Sequence, residues 1–254
     1  MLGASSYLIC ATPRSGTTLL CDLLADTGVS GRPNSYYRRP DISKRAQSWG
    51  LSRTEFADDI EFNRMYLAAA LREGTGETGI FGLRIMWDSV AELTTRLRLL
   101  YPSIADDAAL IERAFGKPLY IHVSRVDKTA QAISLLKAER SGLWHVAADG
   151  SERQRTGPPQ PAQYDAERIA SIIRELESDE AAWECFFASH HIQPVRVTYE
   201  ALADDPRQVL RTLLSSLGCT PEAASAVTVK TARMADVLSR EWADRFRRSV
   251  AALN

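Results

Sequence analysis

Tyr7-Leu-Ile-Cys-Ala11 is followed at once by Thr12-Pro-Arg-Ser-Gly-Thr-Thr18, and this junction decides the fold. A short run of consecutive apolar residues is typical of a strand that is buried on both faces. Apolar residues then recur at positions 19, 20, 23 and 24, a helical spacing that predicts a helix over Thr17–Thr27, ended by Gly28. The chain therefore opens with a buried strand, a tight turn and a helix.

The same order of strand and helix repeats along the chain. Strands are predicted at 80–87, 119–124 and 194–198, and helices at 52–71, 89–101, 106–115, 127–140, 165–188, 206–217 and 239–250. Ser52 and Glu55 form a capping box that marks the start of the 52–71 helix. Such alternation indicates an α/β fold in which helices flank a central parallel sheet. No linker divides the chain, so we expect a single domain over 1–254.

Two stretches lack a periodic pattern. Residues 30–50 are rich in Arg, Pro, Ser and aromatics, which predicts an ordered surface loop. Residues 142–164 contain several prolines and glycines, and they are interpreted as a long loop with the length of a lid.

Composition excludes several classes of protein. Lys and Arg total 31 against 32 Asp and Glu, a net charge of −1. The chain therefore lacks the net positive charge that favours binding to nucleic acid or to an anionic membrane. The chain has neither an apolar run of membrane-spanning length nor the pattern of a signal peptide. The four cysteines have no metal-ligand spacing, and no His, Asp and Cys cluster suggests a metal site. We expect a cytoplasmic protein without a metal.

The turn after the first strand has the chemistry of an anion site. Unpaired N–H groups and the helix dipole meet where a buried strand passes into a helix. Gly16 allows close approach of the backbone, Thr17 and Thr18 add hydroxyls, and Arg14 adds a permanent charge. A hydrogen bond between arginine and an anion contributes about 1.5–3 kcal/mol. Ser15 belongs to the same turn.

The spacing excludes two other anion loops. A Walker A loop aligned on Gly16 requires Gly at Ala11 and Lys at Thr17, and both are absent. A phosphatase loop requires an Arg six positions after its Cys, whereas Arg14 follows Cys10 by four. These mismatches argue against an ATPase, a GTPase and a cysteine phosphatase.

Pro13-Arg-Ser-Gly-Thr-Thr-Leu-Leu20 resembles the 5′-phosphosulfate loop of sulfotransferases that use 3′-phosphoadenosine 5′-phosphosulfate (PAPS). The resemblance to the bacterial trehalose sulfotransferase type covers most of the chain. It implies a P-loop-like sulfotransferase fold and metal-independent transfer of a sulfuryl group from PAPS to a hydroxyl. The further matching segments are Gly31-Arg-Pro-Asn-Ser-Tyr-Tyr37, Gly82-Leu-Arg-Ile-Met-Trp87, His122-Val-Ser-Arg125, Gln131-Ala-Ile-Ser134, Arg233-Met-Ala-Asp236 and Ser239-Arg-Glu-Trp-Ala-Asp-Arg-Phe-Arg247.

The cofactor residues follow from this resemblance. It implies that the Arg14–Thr18 loop holds the 5′-phosphosulfate and that Arg125 and Ser134 hold the 3′-phosphate, with Arg233 as a further nucleotide contact. The fold prediction agrees, because Arg125 ends the third strand and the ends of parallel strands meet at one edge. We therefore expect Arg125 to face the same crevice as Arg14.

The catalytic base departs from the family pattern. The resemblance places a Glu at the position of Ser35, and a serine is not a base at neutral pH without help. The base has moved to Asp88, His145 or Glu55, or the acceptor differs from trehalose. We expect Ser35 to bind substrate, and Asp88 is the first candidate for the base.

The acceptor is expected to be a carbohydrate, a glycolipid or another small molecule. Tyr36, Tyr37, Trp87 and Trp144 are candidates for a sugar-stacking wall, with Arg84 as a further substrate contact. The family resemblance also makes a homodimer an expectation. The alternative is a nucleotide-binding homologue that has lost activity with the loop Glu; the intact turn favours an enzyme.

Overall fold

The buried strand predicted at the start of the chain lies in the middle of a four-stranded parallel sheet of order β2-β1-β3-β6. The computed structural model describes residues 5–146, 149–158, 160–228 and 236–252. The strands are β1 (Ser6–Ala11), β2 (Phe81–Met86), β3 (Leu119–Ser124), β4 (Leu143–Val146), β5 (Glu152–Arg155) and β6 (Val195–Thr198). The α/β class and the central parallel sheet are confirmed.

Helices cover both faces of this sheet. The α-helices within the described ranges are α1 (Thr17–Asp26), α2 (Ile42–Ser48), α3 (Asp59–Thr75), α4 (Val90–Leu100), α5 (Asp107–Phe115), α6 (Lys128–Ser141), α7 (Ala166–Ser189), α8 (Tyr199–Asp204), α9 (Pro206–Leu217) and α10 (Val237–Ala251). Short 3₁₀ turns connect several of them, including Trp87–Ser89 after β2.

The central strand is apolar throughout because both of its faces are covered. Every residue of β1 is buried. Leu8 and Cys10 belong to an aromatic-rich core with α3, α4, α5 and α7. Tyr7, Ile9 and Ala11 pack on the other face with α1 and α9. The alternation along the strand distributes its side chains between two helical layers.

The register of the sheet brings three strand ends together. Ala11 is paired with Met86 of β2 on one side and with Val123 of β3 on the other. The residues that follow these strands therefore leave the sheet at one edge, which is the usual ligand edge of an α/β fold.

The interpretation of residues 30–50 as a surface loop is wrong. This stretch contains α2, and Asn34 forms a parallel bridge with Leu83 at the outer side of β2. Tyr36 and Tyr37 are only 1% and 2% exposed. The stretch behaves as part of the core because it is hydrogen-bonded to the sheet, and this fixes the position of Ser35.

The predicted start of the 52–71 helix is also wrong. α3 begins at Asp59, where the Asp58 carboxylate accepts a hydrogen bond from the backbone N–H of Glu61. The Glu61 carboxylate in turn accepts from the N–H of Ala57 at 3.0 Å. This reciprocal cap lies downstream of Ser52 and Glu55, which belong to a separate short turn.

The 142–164 stretch is not an unstructured loop. It contains the antiparallel hairpin β4–β5, which Arg153 fastens to α1 through an ion pair with Asp22. The hairpin therefore lies next to the turn that follows β1.

Among the residues that the structure describes, no helix combines the length and the apolar character needed to cross a membrane.

Gly31 is required where the chain enters the Asn34 bridge. Its φ is +75°, and a Cβ placed there would lie 2.1 Å from the Ile80 carbonyl oxygen and 2.6 Å from that of Gly74. Gly50 has a similar φ of +72° with no atom within 4 Å of such a Cβ. The two glycines thus share a backbone conformation and differ in their surroundings.

We expect Gly31→Ala to lower the free energy of unfolding by at least about 2 kcal/mol more than Gly50→Ala does. Both variants carry the cost of a left-handed alanine, about 1–2 kcal/mol, and only Gly31→Ala adds a collision with backbone. Urea denaturation of the two variants measures the difference. Equal losses of stability would contradict this account of the bridge.

Candidate functional site

A cavity of about 650 Å³ opens at the carboxyl edge of the sheet. Such a volume is typical of a small-molecule or cofactor site. It contains most of the site residues predicted from the sequence, namely Arg14, Gly16, Thr17, Thr18, Ser35, Tyr37, Arg84, Asp88, Arg125 and Ser134. The cavity wall therefore combines the turn after β1 with residues from β2, β3 and α6.

The turn between β1 and α1 has an unusual backbone. Arg14 and Gly16 both have positive φ, +65° and +84°. A Cβ on Gly16 would lie 2.7 Å from the Tyr199 ring, so this position accepts only glycine without a shift. The helix that follows has no side-chain cap, and its first N–H groups have no acceptor within the helix.

Hydrogen bonds from the side chains of Gln131 and Ser15 stabilise the turn between β1 and α1. Gln131 donates from Nε2 to Thr12 Oγ1 at 2.9 Å and to the Pro13 carbonyl at 2.7 Å. Ser15 is buried and donates to the Thr12 carbonyl. The Ser15 side chain therefore supports the turn and does not line the cavity.

Arg14 extends from the turn along the cavity. Its Nε donates to Ser134 Oγ at 3.0 Å and its Nη1 to the Trp144 carbonyl at 2.6 Å. Burial and the nearby charge of Arg125 lower the pKa of Arg14 to about 10, so it remains a cation at neutral pH. A bound anion would relieve the repulsion between the two guanidinium groups.

Arg125 faces the same crevice from the end of β3. Its Nη1 donates to the Arg14 carbonyl at 3.4 Å, and its guanidinium lies 4.5 Å from the centre of the Tyr199 ring. Its buried Nε has no hydrogen-bond partner among the described residues. A buried donor without a partner costs about 1–3 kcal/mol unless a ligand accepts from it. Arg233 lies outside the described residues.

A chain of hydrogen bonds crosses from the 31–37 segment to the hairpin. Arg84 donates from Nε to Ser35 Oγ and from Nη1 to Thr18 Oγ1, both at 2.8 Å. Thr18 Oγ1 also lies 3.1 Å from His145 Nε2, and the imidazole tautomer sets which of the two atoms donates. Ser35, Arg84 and Thr18 thus form one connected group.

The sequence model of the Stf0 sulphotransferase family matches residues 6–249. The chain belongs to this family. Trehalose 2-sulfotransferase from Mycobacterium tuberculosis strain Erdman is 28% identical over 264 residues, covering 95% of this chain and 94% of its own. The protein of the same name from Mycolicibacterium smegmatis is 28% identical over 267 residues, covering 96% and 95%.

Solved structures of sulfotransferases align at lower similarity. The sulfotransferase domain of the Synechococcus PCC 7002 olefin synthase covers 97% of this chain and 96% of its own, with 16% identity and a TM-score of 0.46. A sulfotransferase from Alicyclobacillus acidocaldarius covers 96% and 92%, with 15% identity and a TM-score of 0.44.

Of the four aromatic residues predicted as a sugar-stacking wall, Tyr36 and Trp87 do not line the cavity. Tyr36 is buried against Trp49 and Phe81. The Tyr37 ring packs on Tyr66 and Phe115, although the residue reaches the cavity wall. Trp87 packs edge-on against Trp183 at 5.0 Å. Trp144, on the hairpin, does line the cavity.

The cavity wall also contains carboxylates. Asp88 lies in the turn after β2 and accepts from Ser89 Oγ at 2.9 Å. Asp179 and Glu175, on α7, also line the cavity. Burial and the charges of Asp88 and Glu175 raise the pKa of Asp179. Glu55, the other carboxylate proposed from the sequence, is exposed and does not line the cavity.

The sequence patterns give no site role to Tyr199, Gln131 or Asp179. The position of each of these side chains depends on contacts between segments that are distant in sequence. In the described part of the chain, no group of three or more His, Cys, Asp or Glu residues has the arrangement of a metal site.

The pKa of His145 is sensitive to the positive charges of the site. Burial and the charges of Arg14 and Arg84 lower its pKa from 6.5 to about 3, so its imidazole is neutral at pH 7. The unfolded chain binds the proton at higher pH than the folded protein does. Protonation of His145 therefore favours unfolding as the pH falls from 6.5 toward 3.

We expect the wild-type protein to lose more stability between pH 7 and pH 5 than a His145→Gln variant does. The difference has an upper limit of about 1.4 kcal/mol per pH unit. Urea denaturation of both proteins at the two pH values measures it. Identical pH dependence would show that His145 keeps an ordinary pKa in the folded protein.

Proposed function

We propose that this sulfotransferase moves a sulfuryl group from PAPS to a hydroxyl of a carbohydrate, a glycolipid or another small-molecule acceptor. One observation carries the proposal: Arg14 and Arg125 line the same cavity of a Stf0 family member, and no residue that the structure describes accepts a hydrogen bond from the buried Nε of Arg125. Two separate cationic groups match a nucleotide with phosphates at both its 5′ and 3′ positions.

The residues around the turn fit this nucleotide. Gly16 has a left-handed backbone and no Cβ, so an anion can approach the N–H groups at the N-terminus of α1 closely. Arg14 and the first N–H groups of α1 would hold the 5′-phosphate, with Thr17 and Thr18 adding hydroxyls. Arg125 would hold the 3′-phosphate with Ser134. Bound PAPS supplies an activated sulfuryl group on a phosphate leaving group.

The arginines provide charge stabilisation during the transfer. Negative charge develops on the leaving phosphate as the S–O bond breaks, and Arg14 is placed to stabilise it. Arg84, held by Ser35 and Thr18, adds a second cation between the turn and the acceptor side. In many phosphoryl transfers a metal ion stabilises the negative charge that develops. Arg14 and Arg84 would do so here, and we therefore propose a metal-independent reaction.

The acceptor enters from the side of Ser35 and Asp88. Ser35 Oγ already accepts from Arg84, which orients its hydroxyl proton for an acceptor oxygen. The relatives named trehalose 2-sulfotransferase make a sugar the first acceptor class to test. The homodimer and the cytoplasmic location expected from the sequence stay predictions.

Calorimetry with 3′-phosphoadenosine 5′-phosphate (PAP), beside Mg·ATP on the same sample, tests the cofactor. We expect PAP to bind at least about tenfold more tightly, because ATP lacks the 3′-phosphate that Arg125 contacts; tenfold corresponds to about 1.4 kcal/mol. Incubation with ³⁵S-labelled PAPS and a panel of sugars beginning with trehalose then tests transfer. Preference for Mg·ATP would reject PAPS as donor. Binding of PAP without transfer to any acceptor would favour the inactive homologue.

Arg125→Ala should weaken PAP binding by about 10- to 100-fold, the loss of a charged hydrogen bond worth about 1.5–3 kcal/mol. Arg113→Ala is the matched control, since Arg113 also stacks on a tyrosine, 5.0 Å from the Tyr101 ring centre, but does not line the cavity. Calorimetry of both variants gives the comparison. Equal affinities for PAP would remove Arg125 from the proposed site.

A further inference from the structure

The proposed reaction lacks an obvious proton acceptor. Ser35 stands where the family resemblance places a glutamate, and its hydroxyl is engaged by Arg84. A sugar hydroxyl that attacks sulfur must lose its proton, and a positioned base is worth about 10²–10⁴ in rate. Carboxylates also line this cavity, among them Asp88 after β2 and Asp179 on α7.

The attachment of α7 to the sheet determines where Asp179 lies. Trp183 is 1% exposed, and its Nε1 donates to the carbonyl of Ala11, the last residue of β1, at 3.1 Å. Asp179 precedes Trp183 by about one helical turn, which is about 6 Å along the axis. Leu176 and Asp179 both line the cavity. This part of α7 therefore projects beyond the strand end, toward the space above the Arg14 turn.

Asp88 approaches the same place from β2. Met86 is in register with Ala11, so the turn that contains Asp88 leaves the sheet next to the Arg14 turn. The ring of Trp87 packs against that of Trp183, which fastens this turn to α7. The two carboxylates are thus held by two neighbouring tryptophans, each one attached to the same end of the sheet.

We propose that Asp179 is the general base that takes the proton of the acceptor hydroxyl, with Asp88 beside it in the cavity wall. This inference rests on the proposed sulfuryl transfer and names a further catalytic residue for it. It assigns the role of general base to Asp179 on α7, whereas the sequence analysis favours Asp88.

The step is balanced in atoms and charge. The acceptor O–H bond breaks, and its proton passes to a carboxylate oxygen of Asp179. The acceptor oxygen forms a bond to sulfur while the bond from sulfur to the bridging oxygen of the 5′-phosphate breaks. That electron pair stays on the phosphate oxygen, next to Arg14. Asp179 later releases the proton to water.

The surroundings of Asp179 favour proton uptake. Its pKa is raised by burial first, then by the negative charges of Asp88 and Glu175. On α6, which packs along α7, Lys128 pairs with Glu180 and Glu139 pairs with Arg168. The other charged side chains that line the cavity are Arg14, Arg38, Asp41, Arg84, Arg125 and Lys137.

His145 is a poorer base than Asp179. Its Nε2 lies 3.1 Å from Thr18 Oγ1, and burial together with the charges of Arg14 and Arg84 lowers its pKa to about 3. Asp179 has neighbouring carboxylates instead of arginines, so protonation of Asp179 removes a repulsion between negative charges. A proton is therefore better accommodated on Asp179 than on His145.

Asp179→Asn should lower kcat for sulfuryl transfer from PAPS to trehalose by about 10²–10⁴-fold. If the sugar panel identifies a better acceptor, that sugar replaces trehalose. PAP affinity by calorimetry should stay within about twofold of wild type, because the substitution is isosteric and leaves Arg14, Arg125 and Ser134 in place. Glu177→Gln is the matched control: it removes the same charge from the exposed side of α7 and should leave kcat unchanged.

The pH profile separates a base from a residue that only supports the fold. Wild-type kcat should fall as the pH falls through the pKa of Asp179, because the protonated carboxyl no longer accepts a proton. Asp88→Asn should move this limb to lower pH, since it removes a neighbouring negative charge. Asp179→Asn should abolish the limb, and Asp179→Glu should restore part of the rate.

Turnover of Asp179→Asn within about threefold of wild type would overturn the inference. A large loss of kcat that leaves the acidic limb of the profile in place would overturn it too, because the base would then be another group. If the wild-type protein binds PAP and transfers sulfate to no acceptor, the proposed function itself fails. These outcomes differ in whether wild type or variant is inactive, so they are distinguishable.

Discussion

The pairing of Ala11 with both Met86 and Val123 is the constraint on which the site depends. It places the last residues of three strands side by side, so that the turns after them share one edge. Arg14, Asp88 and Arg125 follow those strands within a few residues. A one-residue slip of β1 would exchange the side chains that pack in its two cores, so the packing on both faces fixes the register. The geometry of the cavity is therefore fixed by the core of the protein.

The cavity wall carries both cations and carboxylates. The proposed transfer assigns Arg14, Arg84 and Arg125 to the anionic donor, and it assigns Asp88 and Asp179 to the hydroxyl that gives up its proton. Burial and the charges of Arg14 and Arg84 lower the pKa of His145, whereas burial and the charges of Asp88 and Glu175 raise that of Asp179. Both shifts favour the uncharged form of the side chain.

Local sequence patterns were sufficient for one part of this description. The run at 7–11, the turn at 12–16 and the rule that parallel strands end at one edge predicted that Arg14 and Arg125 share a cavity. They were insufficient where a position depends on contacts between distant segments. Tyr36 looks like a surface aromatic in a stretch rich in Arg and Pro, yet the Asn34 bridge brings it into the core.

Asp179 is a cavity residue that local sequence patterns do not single out. In the sequence it is one of several acidic residues on a long amphipathic helix, and no local pattern distinguishes it from Glu177. The distinction comes from Trp183, whose hydrogen bond to Ala11 determines which turn of α7 extends past the sheet. A side chain that is remote in sequence thus decides which carboxylate enters the cavity.

The contact between Arg14 and the hairpin uses the backbone carbonyl of residue 144, not its side chain. The bond is therefore indifferent to which amino acid occupies that position. A substitution at 144 would change the cavity wall there, and Arg14 would keep this hydrogen bond. The hairpin can therefore vary in the side chain that it presents to the cavity without losing its attachment to the turn after β1.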